Sequence, residues 1–390
     1  MSRDPLHWLE DELSSLAARQ LLRRLAVRES AQRGEELQFA GRTLHNFGAN
    51  DYLGLAADVR VIAAAHNAMQ QQGWGAGASP LVTGRGSYHA QLETALAEFE
   101  GTECALLFPT GYAANVGTIT ALVSAGDIVF SDAKNHASII DGCRLSGAKI
   151  HIYPHNDITA LSVALQESQG CFRRYLIATD SLFSMDGDFA NLPALAQLAE
   201  EHAAMLVIDE AHATGVFGEQ GRGVCELLAA EQSSHIRIGT LSKALGSHGG
   251  FVAGSRSLID YLANRARPYI YSTAAPEAAS AAALAALQIV REEPQRRVEL
   301  QARAERFRAR LRSEDWSIGA TQSQIVPVIV GDPGATLRVS AALREAGFFV
   351  PGIRPPSVPI GESLLRISLS WHHSESLLAS LAEALQRSAK

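Results

Sequence analysis

Short apolar segments alternate with helical patterns along the central part of the chain, and this alternation most restricts the possible folds. The segments are CALLF (104–108), DIVFSD (127–132), KIHIYP (149–154), RYLIATD (174–180), AMLVIDE (204–210), IRIGTL (236–241) and GFVAG (250–254). Near-continuous apolar strands separated by helices indicate a mostly parallel sheet covered by helices on both faces. We therefore predict an α/β fold whose ligands bind at the carboxyl ends of the strands.

Helical patterning surrounds these strands, and both ends of the chain differ from the centre. Helices are predicted at 59–72, 88–100, 112–123 and 191–203. Leucines at near-helical spacing predict an amphipathic helix over residues 5–30. A long helix over 277–313 and another over 334–346 indicate a smaller α+β domain. We predict three parts: an N-terminal helix and arm (1–45), a large ligand-binding domain (46–275) and a small C-terminal domain (276–390).

Composition excludes several classes of protein. A formal net charge of −7 argues against a nucleic-acid-binding protein, which is usually basic. The four cysteines form no C-x-x-C pair, a pattern that suits a reducing compartment. The N-terminal residues carry charges of both signs, unlike a secretory signal, and the most apolar segment (277–290) is too short to cross a bilayer. We expect a cytoplasmic protein that binds neither nucleic acid nor membrane.

Polar side chains follow several predicted strands, where the ligand site of such a sheet lies. Asp209 ends one strand, and a carboxylate buried there needs a cation or an N–H donor. His212 follows three residues later, and His136 and Ser184 follow two other strands. Lys243 lies among small residues in GTLSKALG. Each residue taken alone also has a structural explanation, as a helix cap, a turn residue or a buried pair.

Nucleotide-binding and metal-binding interpretations of these segments fail. Lys243 is not a P-loop lysine, because the chain contains no G-x-x-x-x-G-K-[ST]. The string DEAH resembles a helicase motif, but that motif requires the same missing loop. No G-x-G-x-x-G joins the first strand to its helix, which excludes a dinucleotide fingerprint. The D-x-D-G string lacks the final glutamate of a calcium loop, and Asp-x-x-His alone is a weak zinc signal, so no metal site is predicted.

The remaining combination of residues matches what pyridoxal phosphate requires. A buried carboxylate such as Asp209 keeps the pyridine nitrogen protonated, so that the ring can accept electrons. The aldehyde needs a lysine with a lowered pKa, and Lys243 is the candidate. The phosphate needs N–H groups and hydroxyls, which the helix opened by Gly111 and Tyr112 can supply.

The order of seven motifs resembles one enzyme family. The motifs are NDYLGL, TGYAAN, NHAS, FSMDGD, DEAHATGVFGEQGRG, TLSKALG and YST. They are similar to those of the α-oxoamine synthases, from about residue 45 to the C-terminus. The resemblance implies a pyridoxal-phosphate-dependent transferase of fold type I with a mainly parallel seven-stranded sheet. It also implies an acyltransferase that joins an amino acid to an acyl thioester with loss of CO2.

The resemblance implies a role for each matching residue. Lys243, His136 and Asp209 would be catalytic: the lysine would bind the cofactor covalently, and the aspartate would pair with its pyridine nitrogen. His136 would also stack on the ring and position the substrate. Further cofactor contacts would come from Gly111, Tyr112, Ser184, His212, Thr240, Ser272 and Thr273. Substrate contacts would come from Arg23, Asn50, His136, Ser357 and Arg366.

Some assignments stay open at this point. Arg23 and Arg24 both match an expected substrate-binding arginine; Arg23 is chosen, and a solvated helix face is the alternative explanation. Asp180 stands where the family commonly has glutamate, and Gly77-Ala78-Ser79 where it has Gly-Gly-Ser. Neither of these two differences falls on a residue that is expected to contact the cofactor.

Partners and substrates follow from the resemblance in outline. The family's active site lies at a dimer interface, so a homodimer is expected, with Tyr271, Ser272 and Thr273 reaching the neighbouring cofactor. The acyl donor would be a thioester of coenzyme A or of an acyl carrier protein. The resemblance favours L-alanine with a pimeloyl thioester as substrates. Glycine with a short acyl-CoA is the alternative, and an α/β scaffold without activity is a third interpretation.

Overall fold

A computed structural model describes residues 4–233 and 235–388. Contacts divide the chain into two units. The first, which we call the sheet unit, comprises Asn50–Ser184 and Asp188–Gln301. The second, which we call the terminal unit, comprises Met1–Ala49, Met185–Gly187 and Ala302–Lys390. The three sequence-based domain limits stay a prediction.

Strands and helices alternate through most of the chain. The strands are β1 (Glu36–Phe39), β2 (Arg42–Asn46), β3 (Cys104–Phe108), β4 (Ile128–Asp132), β5 (Lys149–Tyr153), β6 (Tyr175–Asp180), β7 (Met205–Asp209), β8 (Ile236–Thr240), β9 (Gly250–Gly254), β10 (Ile325–Gly331), β11 (Phe348–Phe349), β12 (Gly352–Ile353) and β13 (Ser363–Ser368). The helices are α1 (Trp8–Ala18), α2 (Val59–Gln72), α3 (Ser87–Glu100), α4 (Gly111–Leu122), α5 (Ala137–Ser146), α6 (Ile158–Ser168), α7 (Leu192–Glu201), α8 (Val224–Leu227), α9 (Arg256–Arg265), α10 (Arg267–Ile270), α11 (Glu277–Glu292), α12 (Gln295–Ser313), α13 (Pro333–Glu345) and α14 (Glu375–Ser388).

The sheet unit is built on a seven-stranded sheet in the order β3-β9-β8-β7-β6-β4-β5. Strands β4 to β8 run parallel, and β9 is antiparallel to both of its neighbours. Every residue of β4, β8 and β9 is buried, which is why these strands appear in the sequence as continuous apolar segments. Side chains of α4, α5 and α9 pack with the strands in one core. The prediction of a mainly parallel seven-stranded α/β sheet is confirmed.

The terminal unit contains two three-stranded sheets, in the orders β1-β2-β11 and β10-β13-β12. The predicted helix over residues 5–30 is wrong in length, because α1 ends at Ala18. Gln20 adopts a left-handed conformation with φ of 60°, which no α-helix can continue. No residue of α1 is buried within this chain, so contacts with a core do not stabilise a longer helix.

The predicted helix over 277–313 is also corrected. Two helices occupy this stretch, because α11 ends at Glu292 and α12 begins at Gln295. Pro294 lies between them and lacks the N–H group that a continuous helix would need. In the portion of the chain that the structure describes, no helix is both long and apolar enough to cross a membrane.

Candidate active site

Four parallel strands of the sheet unit end in polar residues at one edge of the sheet. These residues are Asp132 of β4, Asp180 of β6, Asp209 of β7 and Thr240 of β8. Asp180 and Asp209 are direct partners in the register of β6 and β7. The strands place these side chains together because parallel strands end at the same edge.

Asp209 is held by two neutral donors. Asn115 Nδ2 donates to its Oδ2 at 2.6 Å, and the Ala211 N–H donates to its Oδ1 at 2.8 Å. The residue is only 4% exposed. Asn115 also donates to Ser138 Oγ at 3.0 Å, which fixes the amide. A buried carboxylate whose donors are neutral favours a cationic partner, as the sequence-based role for Asp209 requires.

His136 lies at the start of α5, next to Asp180 and Asp209. Its ring Nδ1 is 2.7 Å from Ser138 Oγ, and its backbone N–H donates to Asp180 Oδ2 at 2.6 Å. Desolvation lowers the pKa of His136, and the charge of Lys243 lowers it further, whereas Asp209 opposes both. The imidazole is therefore neutral near pH 7, and the residue is exposed in the single chain.

Asp180 has an unusual protonation state. Burial raises its pKa well above the ordinary value, and the neighbouring charge of Asp209 raises it further, while Lys243 acts in the opposite direction. Two carboxylates in register cannot both ionise without a large repulsion. Asp180 therefore holds a proton under conditions in which ordinary aspartates do not.

Lys243 lies in the loop that joins β8 to β9. The Leu241 N–H donates to the Gly249 carbonyl at 3.0 Å, which closes the base of the loop. Ala244 and Leu245 are 2% and 1% exposed and anchor the loop in the core. The Gly246 N–H donates to the Lys243 carbonyl at 2.9 Å. The lysine itself is half-buried, and its charge acts on His136 and Asp180.

Gly246 is required by this loop for two separate reasons. Its φ of +59° is left-handed, and a Cβ atom there would lie 2.4 Å from the backbone nitrogen of Ala56. A residue other than glycine loses stability in a left-handed conformation. Beyond that loss, Gly246→Ala is expected to lower the free energy of unfolding by about 1–3 kcal/mol, because backbone atoms must move to make room for the new Cβ atom. Gly147→Ala is the matched control, since Gly147 has φ of +72° and no atom nearer than 4.0 Å.

The control should cost only the left-handed penalty of roughly 1–2 kcal/mol. Urea unfolding of both variants measures the difference. Equal losses of stability in the two variants would show that the close approach to Ala56 contributes nothing.

The start of α4 lies against the end of β8. Thr110 caps the helix by accepting from the Ala113 N–H at 3.0 Å, and the N–H groups of Gly111 and Tyr112 have no partner within the helix. A Cβ atom on Gly111 would lie 3.4 Å from Thr240 Cβ, so the two elements approach closely. Thr240 Oγ1 is also 2.8 Å from Ser242 Oγ. N–H groups that have no partner within their helix, next to hydroxyl oxygens, are typical of an anion-binding site.

Other predicted cofactor residues lie around these elements. Ser272 lines a cavity of about 30 Å³ together with Pro109 and Leu241, the neighbours of the helix start and of Thr240. Ser184 is half-buried in the turn that follows β6, and Thr273 is exposed.

His212 is positioned by a residue that motif analysis did not single out. The Tyr52 hydroxyl is 2.6 Å from His212 Nδ1 and donates to Asn50 Oδ1 at 3.1 Å. Tyr52 is fully buried. The phenol therefore joins two predicted site residues, Asn50 and His212. Its presence within the motif NDYLGL was the available signal.

The remaining substrate candidates lie in the terminal unit. Arg23 follows α1, and its Nη2 lies 3.5 Å from Ser357 Oγ and 3.3 Å from the Pro355 carbonyl. The structure thus brings Arg23 and Ser357 together. Arg366 lies in β13, is 5% exposed, and donates from Nη1 to Ser368 Oγ at 2.7 Å.

The sheet-unit residues fit pyridoxal phosphate by the chemistry of their donors. The amide groups of Asn115 and Ala211 that donate to Asp209 are both neutral, which suits a carboxylate that pairs with a protonated ring nitrogen. The first amides of α4 and the hydroxyl of Thr240 suit a phosphate. Lys243 and His136 lie within electrostatic range of each other.

Comparisons with known proteins agree with this fit. The family model described as aminotransferase class I and II matches residues 42–385. An 8-amino-7-oxononanoate synthase from Anaeromyxobacter dehalogenans (strain 2CP-1) is 48% identical over 389 residues, covering 99% of this chain and 97% of that protein. The protein of the same name from Paraburkholderia xenovorans is 45% identical, covering 98% of each.

Solved structures show the same architecture. Serine palmitoyltransferase from S. paucimobilis, with pyridoxal phosphate and myriocin bound, has a TM-score of 0.93 at 31% identity. That match covers 99% of this chain and 98% of the other. The 8-amino-7-oxononanoate synthase of Francisella tularensis has a TM-score of 0.77 at 28% identity and covers 88% of this chain and 97% of its own.

Proposed function

We propose that this chain, which belongs to the aminotransferase class I and II family and within it to the α-oxoamine synthases, catalyses the 8-amino-7-oxononanoate synthase reaction of biotin biosynthesis. In that reaction L-alanine condenses with a pimeloyl thioester, and CO2 and the free thiol leave. The observation that carries the proposal is the set Lys243, His136 and Asp209 at one sheet edge, in a chain 45–48% identical over nearly its whole length to proteins of that name.

The cofactor is pyridoxal phosphate, which withdraws electrons from the α-carbon of the bound amino acid. Asp209 would hold the pyridine nitrogen in its protonated form, and Asn115 keeps the carboxylate oriented for that task. Burial and the charge of Asp209 raise the pKa of Asp180, which disfavours a second negative charge beside Asp209. The other proposed contacts are His136, Ser184, His212, Gly111, Tyr112, Thr240, Ser272 and Thr273.

Proton transfer is assigned to Lys243. Its Nζ would remove the proton from Cα of alanine and later return a proton to the same carbon after CO2 has left. His136, neutral near pH 7, would lie on the accessible side and orient the amino acid. His212 is held in one orientation by Tyr52 and would hydrogen-bond the phenolic oxygen of the cofactor.

Substrate recognition is assigned partly to the terminal unit. Arg366 would bind the carboxylate of alanine, since a guanidinium matches a carboxylate in two hydrogen bonds. Arg23 and Ser357 would contact the acyl donor, and their mutual contact at 3.5 Å supports a shared role. The donor would be a thioester of coenzyme A or of an acyl carrier protein.

A homodimer with a shared active site is also proposed. Tyr271 is 72% exposed in the single chain, beside Ser272 and Thr273. Arg267 lies over its ring at 4.8 Å and holds the side chain in place. An exposed aromatic residue next to proposed cofactor contacts supports a contact with a second copy. None of the four cysteines, all of which lie in the part of the chain that the structure describes, forms a disulfide, and this supports a cytoplasmic location.

Thiol release tests the substrate assignment directly. With pimeloyl thioesters, alanine is expected to react faster than glycine, and shortening the acyl chain should cost roughly 10- to 200-fold per methylene removed from its pocket. The assay uses alanine and glycine with acyl thioesters of coenzyme A and of acyl carrier protein. Faster turnover of glycine with a short acyl-CoA would assign the chain to 2-amino-3-ketobutyrate CoA ligase instead.

A further inference from the structure

His155 lies between two carboxylates of the sheet unit. Its Nδ1 is 2.9 Å from Asp132 Oδ1, and its Nε2 is 2.9 Å from Asp188 Oδ2. An ionised carboxylate only accepts, so with both aspartates charged both ring nitrogens donate and the ring carries a positive charge. The two aspartates therefore share one imidazolium. The ring is partly covered by Phe183, whose ring lies edge-on at 4.4 Å.

Asp132 connects this cation to the loop that carries His136. Its Oδ1 accepts from the Lys134 N–H at 2.8 Å, and its Oδ2 accepts from the Asn156 N–H at 2.9 Å. The Asn135 N–H donates to the Asp132 carbonyl at 3.2 Å. The turn that ends at His136 is thus built on the carboxylate that His155 holds.

Asp188 connects the same cation to the turn that carries Ser184. The Phe183 N–H donates to the Asp188 carbonyl at 3.0 Å, directly before Ser184 in the chain. Asn156 Nδ2 donates to Asp188 Oδ2 at 3.3 Å and to the Phe189 carbonyl at 3.0 Å. Both site loops therefore meet at one imidazolium.

We propose that His155 is a positioning residue: in its protonated form it fixes the loops that carry His136 and Ser184, so that retention of the cofactor depends on one proton outside the site. The inference rests on the proposed function, because that function assigns the roles of His136 and Ser184. No contact with substrate or cofactor is assigned to His155 itself.

The charged groups around His155 determine how retention of the cofactor should depend on pH. Partial burial would lower the pKa of His155, but the hydrogen bonds and charges of Asp132 and Asp188 together raise the pKa to about 9. Tyr153 of β5 also faces Asp132, but burial raises its pKa, so it stays neutral in this range. Because the pKa is raised in the folded state, the contribution is complete below the ordinary value of 6.5 and is lost as pH rises through about 9.

The holoenzyme without substrate gives the test. Visible circular dichroism of the bound cofactor, and its rate of loss on dilution, are followed on both sides of pH 9 for the wild type, His155→Gln, Asp188→Asn and His151→Gln. His151→Gln is the matched control, because His151 lies on the neighbouring strand β5 and contacts Phe130 rather than a carboxylate. At pH 7 we expect His155→Gln to lose cofactor about tenfold faster, equivalent to about 1.4 kcal/mol.

The pH profiles separate a positioning role from general loss of stability. The wild type and His151→Gln should show a transition near pH 9, His155→Gln should lack it, and Asp188→Asn should move it to lower pH because one of two anions is gone. An unchanged transition in His155→Gln, or an unmoved midpoint in Asp188→Asn, would overturn the proposal. A wrong substrate assignment would leave these profiles intact and appear only in the thiol-release assay.

Discussion

Replacing Lys243 with alanine is expected to abolish turnover and the visible absorbance of a lysine-bound cofactor. The variant loses the covalent attachment and the group assigned to move the Cα proton, and a positioned base alone contributes roughly 100- to 10,000-fold. Cofactor absorbance and thiol release are measured on the same preparation. Borohydride reduction of the wild type, followed by peptide mapping, should place the cofactor on the peptide that contains Lys243.

Lys149→Ala provides the matched control for that experiment. Lys149 is an exposed lysine at the start of β5, the edge strand of the sheet. We expect this variant to retain both the absorbance and the activity of the wild type. Turnover in Lys243→Ala at a rate near that of Lys149→Ala would remove Lys243 from the reaction.

Asp209→Asn is expected to have the second-largest effect. The substitution keeps the shape of the side chain but removes the charge that would hold the pyridine nitrogen protonated. Losing one preorganised electrostatic partner costs roughly 100- to 1,000-fold in kcat. The variant should still fold. The Ala211 N–H can donate to the new amide oxygen, and the Asn115 amide can turn so that its oxygen accepts from the new NH2 group. Steady-state kinetics and cofactor absorbance, measured together, distinguish slow chemistry from lost cofactor.

Asp180→Asn provides the comparison for Asp209→Asn. Asp180 pairs with Asp209 in register, and burial together with the charge of Asp209 raises the pKa of Asp180, so its carboxyl favours the protonated form more than an ordinary aspartate does. Asp180→Asn resembles that protonated form in shape and charge, and we expect a loss of activity below about tenfold. If Asp180→Asn were as damaging as Asp209→Asn, the division of charge between the two residues would be wrong.

The strands were predictable because their burial leaves a direct trace in the sequence. Strands β4, β8 and β9 are buried along their whole length, so each appears as an uninterrupted apolar segment. Because β7 and β8 run parallel, their last residues, Asp209 and Thr240, lie at the same edge of the sheet. Local patterns thus predicted the sheet, whereas the roles of the candidate site residues stay a prediction.

Contacts between distant segments were not predictable in the same way. Tyr52 appears as an ordinary aromatic residue until the fold brings it to His212, and Asn115 appears as a helix residue until it reaches Asp209. Leucine spacing overestimated α1, because left-handed Gln20 follows the helix and the pattern of apolar residues does not reveal it. The pairing of His155 with Asp132 and Asp188 likewise depends on segments that lie far apart in the chain.

The antiparallel position of β9 affects the order in which this site can assemble. Strands β8 and β9 are neighbours in the chain and in the sheet, so the loop that holds Lys243 closes with a small loss of chain entropy. By contrast, β3 pairs with β9 across a long stretch of sequence, and it precedes the helix that opens at Gly111. The hairpin that carries Lys243 has a low contact order, whereas α4, the helix proposed to bind the phosphate, joins it only through a slow, long-range closure.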